Sequence, residues 1–179
     1  GITVTGIGKA AALPAIEAAL FELRADIEGR LRATGRIALV VSRYNEMVTT
    51  RLLEGARAAC AAAGAAPDGV DVLWVPGAFE LGVVAMMAAR SGRYSCIVAL
   101  GAVIRGETPH FDFVAGEASR SLAAAALETG RPVGFGLLTT DDLDQALARA
   151  GGSAGNKGYE AAEAAIRAAD LLQHAAGGT

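Results

Sequence analysis

The chain has 179 residues, which suits one domain with a substantial core. Of these, 53% are hydrophobic and 20% charged, and the net charge of −3 does not suggest nucleic acid as the main partner. Alanine supplies much of the apolar content, and a charge or glycine breaks every apolar run before the roughly 18 residues of a membrane span, so no transmembrane helix is expected. The N-terminal stretch has no cationic region, and Glu17 and Glu22 interrupt its apolar part, so no signal peptide is expected. Cys60 and Cys96 sit in apolar settings without metal-ligand spacing. They read as buried thiols of a cytoplasmic protein.

Residues 1–26 stand apart. Ile2 to Thr5 could be extended, and Leu13, Ile16, Leu20 and Leu23 fall at helical spacing, so this segment reads as an extension with an amphipathic helix. The main domain is expected over 27–174, with a short tail at 175–179. Within it, four apolar runs read as strands buried on both faces: Ile37 to Val41, Val70 to Val75, Cys96 to Leu100 and Val133 to Leu138. Helical segments are expected near 47–64, 78–90 and 110–129, alternating with the strands, and then near 141–150 and 157–174. Thr140, Asp141 and Asp142 supply a cap and an acidic first turn for the fourth helix. Gly151 to Gly155 reads as a short flexible loop. The alternation specifies an α/β fold with a parallel sheet and right-handed crossovers.

The most telling stretch runs from Gly101 to His110. An apolar strand flows into a glycine-punctuated turn carrying Arg105, and Thr108 and Pro109 look like the N-cap and first position of a helix. Such a turn exposes backbone N–H groups at the positive end of a helix dipole, where anions bind. His110 adds a proton carrier beside them. In an open parallel sheet, ligands sit at the carboxyl ends of the strands. Those ends hold Tyr44 and Asn45, then Pro76 to Glu80, then Arg105 to His110, then Thr139 and Thr140. Aromatic faces, a carboxylate and an anion turn suit a flat heteroaromatic ring, a polyol and a phosphate. No GxGxxG follows the first strand, so a dinucleotide site is weakly supported.

Six blocks together resemble the lumazine synthase family: Ser42 to Glu46, Val75 to Glu80, Gly101 to His110, Phe135 to Thr140, Gln145 to Gly151, and Gly155 to Gly158. They occur in the family's order and spacing over about 27–174. The resemblance implies a three-layer, flavodoxin-like fold with a four-stranded parallel sheet flanked by helices. It implies condensation of 5-amino-6-ribitylaminouracil with 3,4-dihydroxy-2-butanone 4-phosphate to 6,7-dimethyl-8-ribityllumazine, without metal or organic cofactor. It also implies homopentamers with active sites between neighbouring subunits, with a 60-subunit icosahedral shell favoured by the short Gly151–Gly155 loop. The family's N-terminal segment commonly adds a strand to the neighbour's sheet, and Ile27 to Gly35 is the matching stretch.

By the same resemblance, Tyr44 stacks on the pyrimidine, where the family often has Phe or Trp, and Asn45 lies near the ring unless it is only a turn residue. Ala78, Phe79, Ala102, Val103 and Ile104 contribute to the substrate site, Ala78 and Phe79 lining its pyrimidine pocket. Glu80, placed in the first turn of a helix, binds ribityl hydroxyls. Gly106, Glu107 and Thr108 cradle the phosphate and Arg149 clamps it. His110 shuttles protons. Phe135 packs on the ring from the neighbouring subunit, and Lys157 lies near the ribityl chain. Arg105 either joins the phosphate site or pairs with an acidic group. The bland readings remain beside these: a strand-end aromatic for Tyr44, a core aromatic for Phe135, a helix-end cation for Arg149. The alternative for the whole chain is a cage-forming shell or engineered scaffold with a vestigial site.

Overall fold

Strands β1 (Arg36–Ser42), β2 (Val70–Val75), β3 (Tyr94–Ile104) and β4 (Val133–Thr140) form one parallel sheet in the order β2-β1-β3-β4. Around it run α1 (Glu46–Ala62), α2 (Leu81–Arg90), α3 (His110–Thr129), α4 (Leu143–Arg149) and α5 (Lys157–Gly177). The computed structural model describes residue 33 and residues 35–177. The helix expected between Leu13 and Arg24, the extended Ile2 to Thr5 and most of the stretch from Ile27 lie outside the described residues.

Helices α1 and α5 pack together against the sheet, as do α2 and α3, giving the three layers. The central strands carry the core: Ile37, Leu39, Ile97 and Leu100 are fully buried, with Leu52 of α1, Leu81 of α2, Leu122 of α3 and Ile166 of α5 closing over them. Each such side chain stabilises the fold by about 1.5–3 kcal/mol relative to an exposed one. Cys60 and Cys96 are free and buried among these groups, and burial pushes their thiols up to about 11 and about 12.

Burial on both faces holds for β1 but not for the edge strands. In β2 most residues are only half-buried, and in β4 Phe135 and Thr139 are exposed. Edge position, which depends on strand order, decides this. The turn expected from Gly101 begins later, because β3 continues through Ile104 alongside β4 to Thr140. Gly101 is therefore a strand residue, and a Cβ there would lie 2.8 Å from Leu137 Cδ1 and 3.0 Å from Leu81 Cδ1. Its function is close packing rather than turning.

Helix α3 starts at His110, with Pro109 in the cap position and no side-chain cap bond, so Thr108 is not the N-cap. Glu80 likewise precedes α2 as its cap residue rather than sitting in the first turn. Asp142 does cap α4, accepting from the Gln145 N–H at 2.7 Å. The loop expected at Gly151 to Gly155 is a tight hairpin of β5 (Ala150–Gly152) and β6 (Gly155–Asn156), with Gly151 and Gly155 at positive φ. α5 runs past the expected end at residue 174 to Gly177.

Candidate active site at the carboxyl edge of the sheet

The strand order places β1 and β3 side by side although β2 separates them in sequence. Their carboxyl ends flank the crevice in which open α/β sheets bind ligands. The β1–α1 turn is tied to both neighbours there. Tyr44 N–H donates to the Pro76 carbonyl at 3.1 Å, and Asn45 Nδ2 donates to the Ala102 carbonyl at 2.9 Å. Asn45 holds φ 59° and ψ 45°, a left-handed conformation that asparagine tolerates better than most residues. Its amide donor is thus engaged within the subunit.

A cavity of about 770 Å³ opens at this crevice, within the size range of small-molecule sites. Tyr44, Ala78, Phe79 and Glu80 line one side, and Ala102, Val103, Ile104, Gly106, Thr108 and His110 the other. Ala78 and Ala102 are buried in its floor, whereas Tyr44 is 71% and Phe79 59% exposed at its rim. An alanine floor leaves room for a flat ring, and the rim aromatics offer faces to stack on it. The Glu80 carboxylate folds back towards Gly77, where a Cβ would lie 3.0 Å from Oε2. It makes no capping bond, so its acceptors remain available to hydroxyl donors. His110 is exposed at the start of α3.

Six of the residues singled out in the sequence do not line the cavity: Asn45, Arg105, Glu107, Phe135, Arg149 and Lys157. Phe135 lies on β4 between Gly134 and Gly136, both of which pack under Ala161 of α5. Alternation along a strand turns Phe135 to the opposite face, where it is 50% exposed. Arg149 ends α4 half-buried, and its Nη1 donates to the Gln145 carbonyl at 3.0 Å. Lys157 opens α5 and pairs with Glu160 at 2.7 Å. Arg105 takes the structural one of its two readings. It bonds Asp141 at 3.2 Å and Asp112 at 3.4 Å, and its guanidinium stacks 4.1 Å from the Phe111 ring centre.

The cavity also includes Gly77 of the Pro76–Glu80 stretch, and Phe111, Phe113, Val114 and Glu117, which the sequence did not single out. His110, Phe113, Val114 and Glu117 recur at i, i+3, i+4 and i+7, so one face of α3 continues the wall that His110 begins. That periodicity was the available signal. Hydrogen bonds from Arg120 hold the Glu117 carboxyl below the usual carboxylate range.

The family model for 6,7-dimethyl-8-ribityllumazine synthase matches residues 34–173. The chain belongs to the lumazine synthase family. The match spans all four strands and every cavity residue, so this family of riboflavin-biosynthesis enzymes accounts for the described domain. Among the described residues, no helix is long and apolar enough to cross a membrane.

Proposed function

We propose that the protein condenses 5-amino-6-ribitylaminouracil with 3,4-dihydroxy-2-butanone 4-phosphate, releasing 6,7-dimethyl-8-ribityllumazine, phosphate and water. The observation that carries this reading is the cavity itself. It combines rim aromatics and an alanine floor for the ring, a carboxylate for the polyol, and a helix start with His110 for the phosphorylated ketone. Tyr44 stacks on the pyrimidine, Ala78, Phe79, Ala102, Val103 and Ile104 enclose it, and Glu80 accepts from ribityl hydroxyls. Asn45 serves by fixing the turn that carries Tyr44. Gly106, Glu107 and Thr108 offer backbone N–H groups to the phosphate at the positive end of α3.

Catalysis is mainly positioning. Holding an amine and a ketone in contact converts a bimolecular encounter into a local one, worth up to about 7–11 kcal/mol in favourable cases. His110 accepts a proton as the amine attacks the ketone, returns it as the carbinolamine loses water to give the imine, and takes the carbon-bound proton beside the imine as phosphate is expelled. Attack of the ribitylamino nitrogen on the remaining carbonyl, with loss of a second water, closes the ring.

A second copy of the chain completes the site. Arg105 is engaged with Asp112 and Asp141, so the cavity needs its phosphate clamp from elsewhere. Arg149 of a neighbour supplies it, together with Phe135 as the second ring wall and Lys157 beside the ribityl chain. The exposed Tyr44, Phe79 and Phe113 at the cavity and the exposed Phe135 outside it support this arrangement, since exposed large aromatics mark contact or ligand sites. The assembly is a homopentamer, and the tight hairpin at Gly151 to Gly155 favours its further closure into a 60-subunit shell in the cytoplasm.

The test is to mix the purified protein with both substrates and follow the fluorescent lumazine. Product should form well above the spontaneous rate. Folded protein that adds nothing to that rate would overturn the assignment in favour of a shell with a vestigial site.

A further inference from the structure

We propose that Asn156 is the positioning residue for the phosphate end of the site, tethering the hairpin that carries Arg149 and Lys157 to α1. The inference rests on the reading of Arg149 as the clamp given to a neighbouring copy. In the β5–β6 pair, Ala150 lies opposite Asn156. Arg149 and Lys157 immediately flank that pair in sequence, so the backbone of both is set at the mouth of the hairpin. Whatever fixes the hairpin fixes both.

Asn156 does so with three bonds made by one side chain. Its Oδ1 accepts from the Gly158 N–H at 2.9 Å and the Tyr159 N–H at 3.2 Å, capping α5. Its Nδ2 donates to the Arg51 carbonyl of α1 at 2.9 Å, across 105 residues of sequence. Two glycines make this approach possible. A Cβ on Gly55 would lie 2.2 Å from Asn156 Oδ1, and a Cβ on Gly158 would lie 2.0 Å from the Leu52 carbonyl oxygen. Neither position has room for any side chain while the tether is in place.

Helix α1 connects this tether to the cavity. It begins directly after Asn45, whose side chain is bonded to the Ala102 carbonyl in the cavity wall. Arg51 follows six residues later, about 9 Å along the helix axis at 1.5 Å per residue. One short strut therefore sets the distance between the ring-binding half that a subunit keeps and the cationic half that it lends. Asn156 touches neither substrate and acts through Arg149 and Lys157.

Asparagine is specific here because it both accepts and donates. Asn156→Asp keeps the acceptors for the cap and places a negative charge at a helix N-terminus, so α5 stays capped. It removes the donor and sets a carboxylate against the Arg51 carbonyl. The variant separates tether from cap, and Gly55→Ala perturbs the same contact from the α1 side.

The experiment compares the native protein with Asn156→Asp, Gly55→Ala, Arg149→Ala and the Asn156→Asp/Arg149→Ala double variant. It measures KM for each substrate and, without turnover, the Kd of inorganic phosphate by calorimetry. Asn156→Asp and Gly55→Ala should each raise KM for the butanone phosphate and the phosphate Kd by about tenfold or more, the scale of loss that a displaced positioning group causes. KM for the ribitylaminouracil should rise by a smaller factor, through the displaced Lys157 alone. In the double variant the phosphate Kd should match that of Arg149→Ala alone, because the tether reaches the phosphate only through the clamp. Native KM and Kd in Asn156→Asp, equal rises for both substrates, or losses that multiply in the double variant would overturn the inference. Native protein that binds phosphate but forms no lumazine overturns the reaction reading and leaves Asn156 judged by Kd. Native protein that binds no phosphate overturns both.

Discussion

The proposed proton transfer falls to one exposed imidazole, His110 at the start of α3, which shares the cavity wall with Gly106 and Thr108. General acid–base groups contribute about 10²–10⁴-fold to rate, while positioning by the rest of the site persists without them. His110→Ala should therefore slow turnover by roughly 10²-fold and leave measurable activity. Its KM for both substrates should stay near native in steady-state kinetics. A variant as fast as the native protein would remove the proton-carrier role. At this scale the sequence was informative where neighbours in the chain are neighbours in space. Gly106, Thr108 and His110 could be placed together because a strand, a turn and a helix start follow one another. The Asn45–Ala102 bond spans 57 residues and the Asn156–Arg51 bond 105, and nothing local announces either. Arg105 shows the converse. It sits inside the anion turn by sequence, yet Asp112 and Asp141 claim it through folding.

Among the elements, the opposite end of the sheet is held by charge. The Asp71 carboxylate on edge strand β2 accepts from Arg36 of β1 at 2.6 Å and from the Tyr94 hydroxyl of β3 at 2.8 Å, with Arg93 at 3.6 Å. These strands are β2, β1 and β3 in spatial order, so the cluster staples three neighbours. The Tyr94 bond, then the Arg36 bond, holds the Asp71 carboxyl below its usual range. A lowered carboxyl pKa stabilises fully above the unfolded value of about 3.9, and the contribution fades as pH falls through the folded value. Burial, then the bond to Asp71, holds the Tyr94 hydroxyl above its usual range. A raised pKa has the opposite sign, stabilising below about pH 10 and fading above it. Asp71→Asn should lower Tm most on the plateau between about pH 4 and pH 10, with the deficit against native protein shrinking below about pH 4. Thermal melts across pH check this, and a deficit constant from pH 7 to pH 2 would contradict it. The apolar runs marked all four strands of the sheet, because continuous apolarity is a local property. Strand ends were harder to read. β3 extends through Gly101 to Ile104 because β4 continues beside it, and a glycine inside a strand looks like a turn until its packing partners are known.

For the whole molecule, the unequal division of the site matters most. The cavity is lined by the residues proposed to hold the ring and polyol and to carry protons, while Phe135, Arg149 and Lys157 lie outside its lining. A single chain carries both halves, and the proposal joins each half to the other half of a neighbour. The sequence could supply the residues of both halves, but no periodicity reveals which residues belong to one copy's cavity and which to the next.

Complementation between two defective chains tests the shared site most directly. One chain carries Glu80→Ala and His110→Ala, the other Phe135→Ala and Arg149→Ala, and the two are dissociated, mixed in equal amounts and reassembled. In a cyclic assembly with random neighbours, about one interface in four then joins two native halves, so lumazine fluorescence should recover to about a quarter of the native rate. If each chain builds its site alone, no chain in the mixture has a complete set, and activity will remain at the average of the two parents.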